Sequence, residues 1–149
     1  MDDAAPDAAP ADDRGRAIVR ASWLSNVVFA VTAIPAAAGV DAFETPALVV
    51  ALLLFTTSIV VWAWAFGIAV VRSAGGDDIV VANLFLVQGD VPTSIRRHLF
   101  ASVAVSIVIA AGSAVTAPFG ILVPMLPLGL VGLWGARHGV FPARRMPKR

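Results

Sequence analysis

The chain has 149 residues, which suits one domain, and 58% of them are apolar while only 14% carry charge. Its mean hydropathy of +0.84 and that charge deficit exclude an ordinary soluble domain, in which apolar residues make up about half and charged ones about a quarter. Too much of a small domain's surface stays wet for water alone to be its solvent. The absence of Cys excludes disulfides, thiolate catalysis and Cys-ligated metals, and the net charge of +1 matters less than how the charges are distributed.

In chain order, residues 1–16 (MDDAAPDAAPADDRGR) form an acidic Ala/Pro stretch. It cannot bury enough apolar area to offset ordering entropy, so a disordered tail is expected. Residues 17–141 read as a single transmembrane domain, and residues 142–149 as a basic cytoplasmic tail.

Four apolar stretches lie within that domain, at about 21–40, 47–71, 99–117 and 119–136. A helix needs about 20 such residues, at roughly 1.5 Å each, to cross a hydrocarbon core of about 30 Å. Backbone groups in lipid must pair within their own segment, so each stretch is read as a helix. The second, roughly 38 Å long, is expected to tilt or protrude. The fourth reaches only about 27 Å, and Pro124 and Pro127 make it the least regular. The predicted fold is an all-α four-helix transmembrane bundle with a short interfacial element between helices two and three.

Thr45 and Pro46 suit an N-cap and first-turn proline for the second span. Short connections at 41–44 and at Ala117-Pro118 imply antiparallel neighbours. The connection between spans two and three is too long to be structureless. Within it, residues 78–89 are read as an interfacial or tucked-under helix opened by Asp78 and ended by Gly89. A short strand fits Val80, Val81, Leu84 and Phe85 as well.

The basic residues fall before span one (Arg14, Arg16, Arg20), between spans two and three (Arg72, Arg96, Arg97) and after span four (Arg137, Arg144, Arg145, Lys148, Arg149). None lies in either hairpin. The positive-inside rule then places both termini in the cytoplasm and the chain in the cytoplasmic membrane. Trp23 and Trp134 fall near the cytoplasmic span ends, where aromatic belts form, whereas Trp62 and Trp64 lie deeper. Arg14 to Arg20, the apolar run from Trp23 to Ile34 and Pro35-Ala36-Ala37-Ala38 also fit a signal peptide. Cleavage there would leave three spans, but the long acidic tail and the full length of the stretch favour a span.

Candidate functional residues are few. Ser102, Ser106, Ala110 and Ala114 recur every four residues on span three, as a packing or partner seam of small residues. Gly129, Gly132 and Gly135 on span four are a weaker counterpart. Asn26 is the main polar group inside a span and is read as an interhelical polar contact. Arg96, Arg97, Arg144, Arg145, Lys148 and Arg149 are expected to meet lipid headgroups. No acidic, Lys or His residue lies in the middle of a span, which removes the titratable group that a proton-coupled exporter requires. His98 and His138 lack the further ligands that a metal needs, and Gly75-Gly76 before Asp77-Asp78 would repel phosphate. No catalytic residue, cofactor or nucleic-acid partner is therefore expected. The expected partners are the bilayer, other membrane subunits, or a second copy of the chain.

The run from Gly132 through His138-Gly139 to Phe141-Pro142, with Val91-Pro92 before Arg96-Arg97, resembles a group of small uncharacterised four-helix membrane proteins of actinobacteria. The excess of Arg over Lys and the abundant Ala and Val agree with such a GC-rich source. The resemblance implies the fold and no functional residues. The function expected from the residues is that of a non-enzymatic accessory or assembly subunit. The alternatives are a small homo-oligomeric transporter or channel for an uncharged solute and, third, a membrane enzyme acting on lipid.

Overall fold

A computed structural model describes residues 15–86 and 92–143. Residues 1–14 of the tail expected at 1–16, residues 144–149 of the tail expected at 142–149, and the end of the central connection lie outside the described residues, and Arg16 belongs to the first helix and not to the tail. Five α-helices follow in order: α1 (Arg16–Ala37), α2 (Glu44–Ala74), α3 (Val81–Leu86), α4 (Thr93–Ser113) and α5 (Met125–His138). Short 3-10 turns cover Asp41–Phe43 and Pro118–Leu122. Four helical units are long and apolar enough to cross a membrane: Arg16–Ala37, Asp41–Ala74, Thr93–Ser113 and Pro118–His138. Among the described residues there is no strand, only an isolated bridge between Asp77 and Ala143.

The helices run past the apolar stretches, because lipid sets the limits of a span whereas caps set the limits of a helix. At the end of α1, Val40 N–H bonds Pro35 O and Gly39 N–H bonds Ala36 O, with Gly39 at φ +84°. The end of α2 repeats this pattern, with Asp77 N–H to Arg72 O, Gly76 N–H to Ser73 O, and Gly76 at φ +106°. These are Schellman closures, which require the left-handed conformation that Gly adopts without strain. The expected cap at Thr45 is replaced. The 3-10 turn feeds α2 directly, Phe43 occupies the N-cap without a side-chain bond, and Glu44 lies in the first turn. A carboxylate is favoured at that end of the helix dipole, and Pro46 needs no N–H partner there.

Span four is discontinuous. Pro124 and Pro127 lack the N–H that a continuous α-helix needs, so Val123 N–H bonds Gly120 O and Leu126 N–H bonds Val123 O across the break. Pro127 then falls in the first turn of α5, where its missing donor is harmless. This span is nevertheless the centre of the bundle: 67% of it is buried, against 17% of the second. Every residue from Leu126 to Ala136 except Leu128 is buried.

Contacts define the arrangement. Ser22 meets Ser102, and Phe29 shares a cluster with Ala110, so α1 and α4 run parallel. Trp62 bonds Met125 O and Arg72 bonds Ala136 O, so α2 and α5 also run parallel. Ile18, Ile95, Leu99 and Trp134 share one cluster. The Arg-bearing ends of all four spans therefore lie at one end of the bundle, and the two hairpins at the other. Buried positions repeat at steps of three, four or seven: Ser22, Asn26, Phe29, Ala33 and Ala36 on α1; Ala47, Ala51, Ser58, Ala65 and Ala69 on α2. Most are small, which lets backbones approach where lipid gives no hydrophobic drive for association.

The segment expected at the membrane interface, 78–89, contains the six-residue α3, which opens at Val81, three residues after the expected Asp78 cap. Asp78 instead donates its backbone N–H to Pro142 O. Leu84, 1% exposed, inserts among Ala69 and Ala136.

Candidate functional site: the polar seam and the basic end

The face of α1 toward α4 carries Ser22, Ser25 and Asn26, all buried. Asn26 Nδ2 donates to the Ser102 carbonyl at 2.7 Å. The Ser102 hydroxyl donates to Leu99 O at 2.7 Å, so its oxygen accepts from Ser22, 2.6 Å away. Ser25 donates to Ser22 O at 2.8 Å. Asn26 Oδ1, the Ser106 hydroxyl and Trp134 Nε1 are buried without a hydrogen-bond partner among the described residues.

Ser102, Ser106 and Ala110 lie buried inside this bundle, whereas Ala114 is half-buried and Ser113 takes the next inward place. A four-residue step overshoots a helical turn by about 40°, so three steps carry Ala114 roughly 120° away from Ser102. Interhelical bonds of this kind contribute about 0.6 kcal/mol and at most about 1.7. Asn26→Ala is expected to lower bundle stability by about 1 kcal/mol. A Ser22→Ala/Ser102→Ala cycle should show a coupling of about 0.6 kcal/mol. Unfolding titrations in mixed micelles measure both, and a neutral Asn26→Ala would show that the seam contributes nothing.

At the basic end, Arg72 is central. Its Nε bonds Asp77 Oδ2 at 2.8 Å. Its Nη1 bonds both Ala136 O and Gly139 O at 2.9 Å, and its guanidinium lies 4.9 Å from the Phe141 ring centre. It thus caps the C-terminus of α5, whose last carbonyls lack helical partners. Sequence reasoning assigned Arg72 only to topology, and nothing local to it signals these contacts.

Gly129, Gly132 and Gly135 form a second feature. A Cβ on Gly129 would stand 2.7 Å from the Trp62 ring, one on Gly132 would enter the Phe85 ring, and one on Gly135 would strike the Leu84 carbonyl. The three glycines form the floor on which Trp62 and α3 rest. Trp62 Nε1 donates to Met125 O at 2.9 Å.

Trp134 does not face a membrane surface. It is 3% exposed and lies against Gly15, where the missing Cβ admits the indole, with the His138 ring 5.4 Å from its own. Trp64, by contrast, is exposed, and Arg137 sits 5.5 Å from its ring centre. Arg96, Arg97 and His98 are exposed, while Arg144, Arg145, Lys148 and Arg149 lie outside the described residues. Among the described residues no group of three or more His, Asp or Glu could hold a metal ion. No protein-family model, curated protein or solved structure matches this chain.

Proposed function

We propose that this chain is a non-enzymatic accessory or assembly subunit of a cytoplasmic-membrane complex, with both termini in the cytoplasm. One observation carries this reading: the buried side chains of Ser22, Ser25, Asn26 and Ser102 bond one another or backbone inside the bundle, and the titratable side chains of the described residues stand near helix ends. Such an interior favours packing over the passage or conversion of a solute. Long α2 turns Leu53, Val60, Trp64 and Val70 outward, an apolar flank suited to lipid or to a neighbouring subunit. The collection of Arg-bearing ends at one end of the bundle supports N-in, C-in orientation by the positive-inside rule.

A second reading, a small transporter for an uncharged solute, draws on the break at Pro124 and on a cleft of about 290 Å3 at the hairpin end, lined by Glu44, Thr45 and Thr116. Discontinuous helices are common at transport sites. Purification in mild detergent through a C-terminal tag, with mass spectrometry, separates the two readings. A stoichiometric membrane partner is the expected result. A lone homogeneous oligomer that moves solute in vesicles would replace the first reading with the second.

A further inference from the structure

The cleft at the hairpin end, about 290 Å3, lies between the start of α2 and the 3-10 turn Pro118–Leu122. Ala47 and Ala51, each 1% exposed, form its floor, and the half-exposed Leu48 and Phe119 add apolar wall. Its polar side chains are the Glu44 carboxylate and the hydroxyls of Thr45 and Thr116, all three on exposed residues. The Thr116 hydroxyl donates to Ser113 O, which leaves its oxygen as an acceptor. The cleft thus joins an apolar floor to a rim of acceptors that includes one full negative charge.

No Lys or Arg of the chain reaches this rim. Arg16, Arg20, Arg72, Arg96, Arg97 and Arg137 belong to the opposite end of the bundle. Arg14 is bonded to Gly15, which lies against Trp134 at that same end. Arg144, Arg145, Lys148 and Arg149 follow Ala143, which bridges Asp77. Six fully extended residues span about 22 Å, whereas α2 sets Arg72 about 42 Å from Glu44. The N-terminal end of α2 contributes only about half a positive charge, and Asp41, exposed three residues before Glu44, supplies a second carboxylate. The field at the rim is therefore negative, and the chain's own cations do not neutralise it.

We propose that this cleft is a site for a short alkylammonium group, whose head meets Glu44 and Thr45 and whose hydrocarbon lies on Ala47, Ala51 and Leu48. Charge complementarity selects a cation. A bare metal ion is a poor match, because Glu44 is the one carboxylate lining the cleft and no group of three or more His, Asp or Glu among the described residues could hold a metal. The apolar floor instead favours a cation that carries hydrocarbon. A volume of about 290 Å3 is at the small end of ligand sites, which limits the group to a short-chain amine or the ethanolamine head of a lipid. The site depends on neither functional reading above.

The test follows the Thr methyl resonances of the full-length protein in phosphatidylcholine nanodiscs, titrated with hexylammonium or with hexanol, which share their hydrocarbon. Saturable shifts at Thr45 and Thr116 are expected near about 1 mM hexylammonium, as so few heavy atoms allow. Hexanol should bind about fivefold more weakly. Glu44→Gln should bring the two probes within about twofold of each other, while Asp41→Asn, an equal charge loss outside the cleft, should change the preference less than about twofold. Leu48→Trp fills the cleft without altering charge and should weaken both probes, and far-UV circular dichroism verifies that each variant is folded. Loss of hexylammonium binding when phosphatidylethanolamine replaces phosphatidylcholine would support the site with a lipid head as its occupant. Undiminished binding would support it with a soluble amine. Equal affinity for hexylammonium and hexanol would overturn the proposal, as would equal effects of Glu44→Gln and Asp41→Asn, which mark diffuse attraction. Shifts that Leu48→Trp leaves unchanged would overturn it too, as partition into the bilayer.

Discussion

Gly135→Val is expected to destabilise the bundle by about 3 kcal/mol and to expel α3 from its underside. The added Cβ would strike the Leu84 backbone carbonyl, which cannot swing aside as a side-chain tip does. Overpacking a tight contact costs roughly 1–3 kcal/mol, and here relief also withdraws Leu84, which is 1% exposed among Ala69 and Ala136. Gly67→Val provides the comparison. That position also lies within a helix, but a Cβ there meets nothing, so a change within about 0.5 kcal/mol is expected. Unfolding in mixed micelles gives both stabilities, and protease cleavage near residue 84 reports the release of α3. Equal behaviour of the two variants would mean that α3 does not rest on α5.

The second large effect is expected at Arg72. Its truncation to Ala removes two hydrogen bonds to carbonyls at the end of α5, the bond to Asp77 and the contact with Phe141. Bonds to charged donors contribute about 1.5–3 kcal/mol each when buried. Arg72 and Asp77 side chains are 29% and 32% exposed, so solvent screens the pair, and the loss for Arg72→Ala is expected at about 2–3 kcal/mol in total. Asp77→Asn alone should cost under about 1 kcal/mol. Arg72→Lys should recover less than half of the loss, because a single ammonium cannot reproduce a fork that reaches Asp77 and two carbonyls together. Denaturant titration followed by Trp fluorescence checks the order: Arg72→Ala most destabilised, then Arg72→Lys, then Asp77→Asn. An Arg72→Ala variant as stable as the parent would reduce this residue to a topological charge.

The four helices long and apolar enough to cross a membrane were legible in the sequence because length and continuous apolarity are both local properties. Helix ends were less legible. Arg16 to Arg20 and Thr93 to His98 are polar enough to fall outside an apolar count, yet the helices include them. Asn26 stands out as a polar group in an apolar run, whereas Ser22, one turn earlier on the same face, does not stand out by residue type. The spacing of Ser22, Asn26, Phe29 and Ala33 contains the signal: read as a heptad of small and polar residues, it marks the buried face of α1. The irregularity of the fourth stretch was legible from Pro124 and Pro127, but its central, buried place in the bundle was not. Prolines suggest a weak helix when only local propensity is counted, but burial depends on neighbours far along the chain. Gly129, Gly132 and Gly135 admit Trp62, Phe85 and Leu84, and those partners cannot be read from the span itself. Arg72 is similar, since its acceptors Ala136 and Gly139 lie more than sixty residues away.

The central claim is a four-span bundle whose basic end faces the cytoplasm, and the Cys-free sequence makes it directly measurable. Single cysteines can be placed at exposed positions: Ala42 and Val115 at the hairpin end, Val80 and Val140 at the basic end. A membrane-impermeant maleimide added to intact cells is expected to label Ala42→Cys and Val115→Cys, and to label Val80→Cys and Val140→Cys only after permeabilisation. Labelling of Ala42→Cys and Val115→Cys from opposite sides of the membrane would contradict the four-span account.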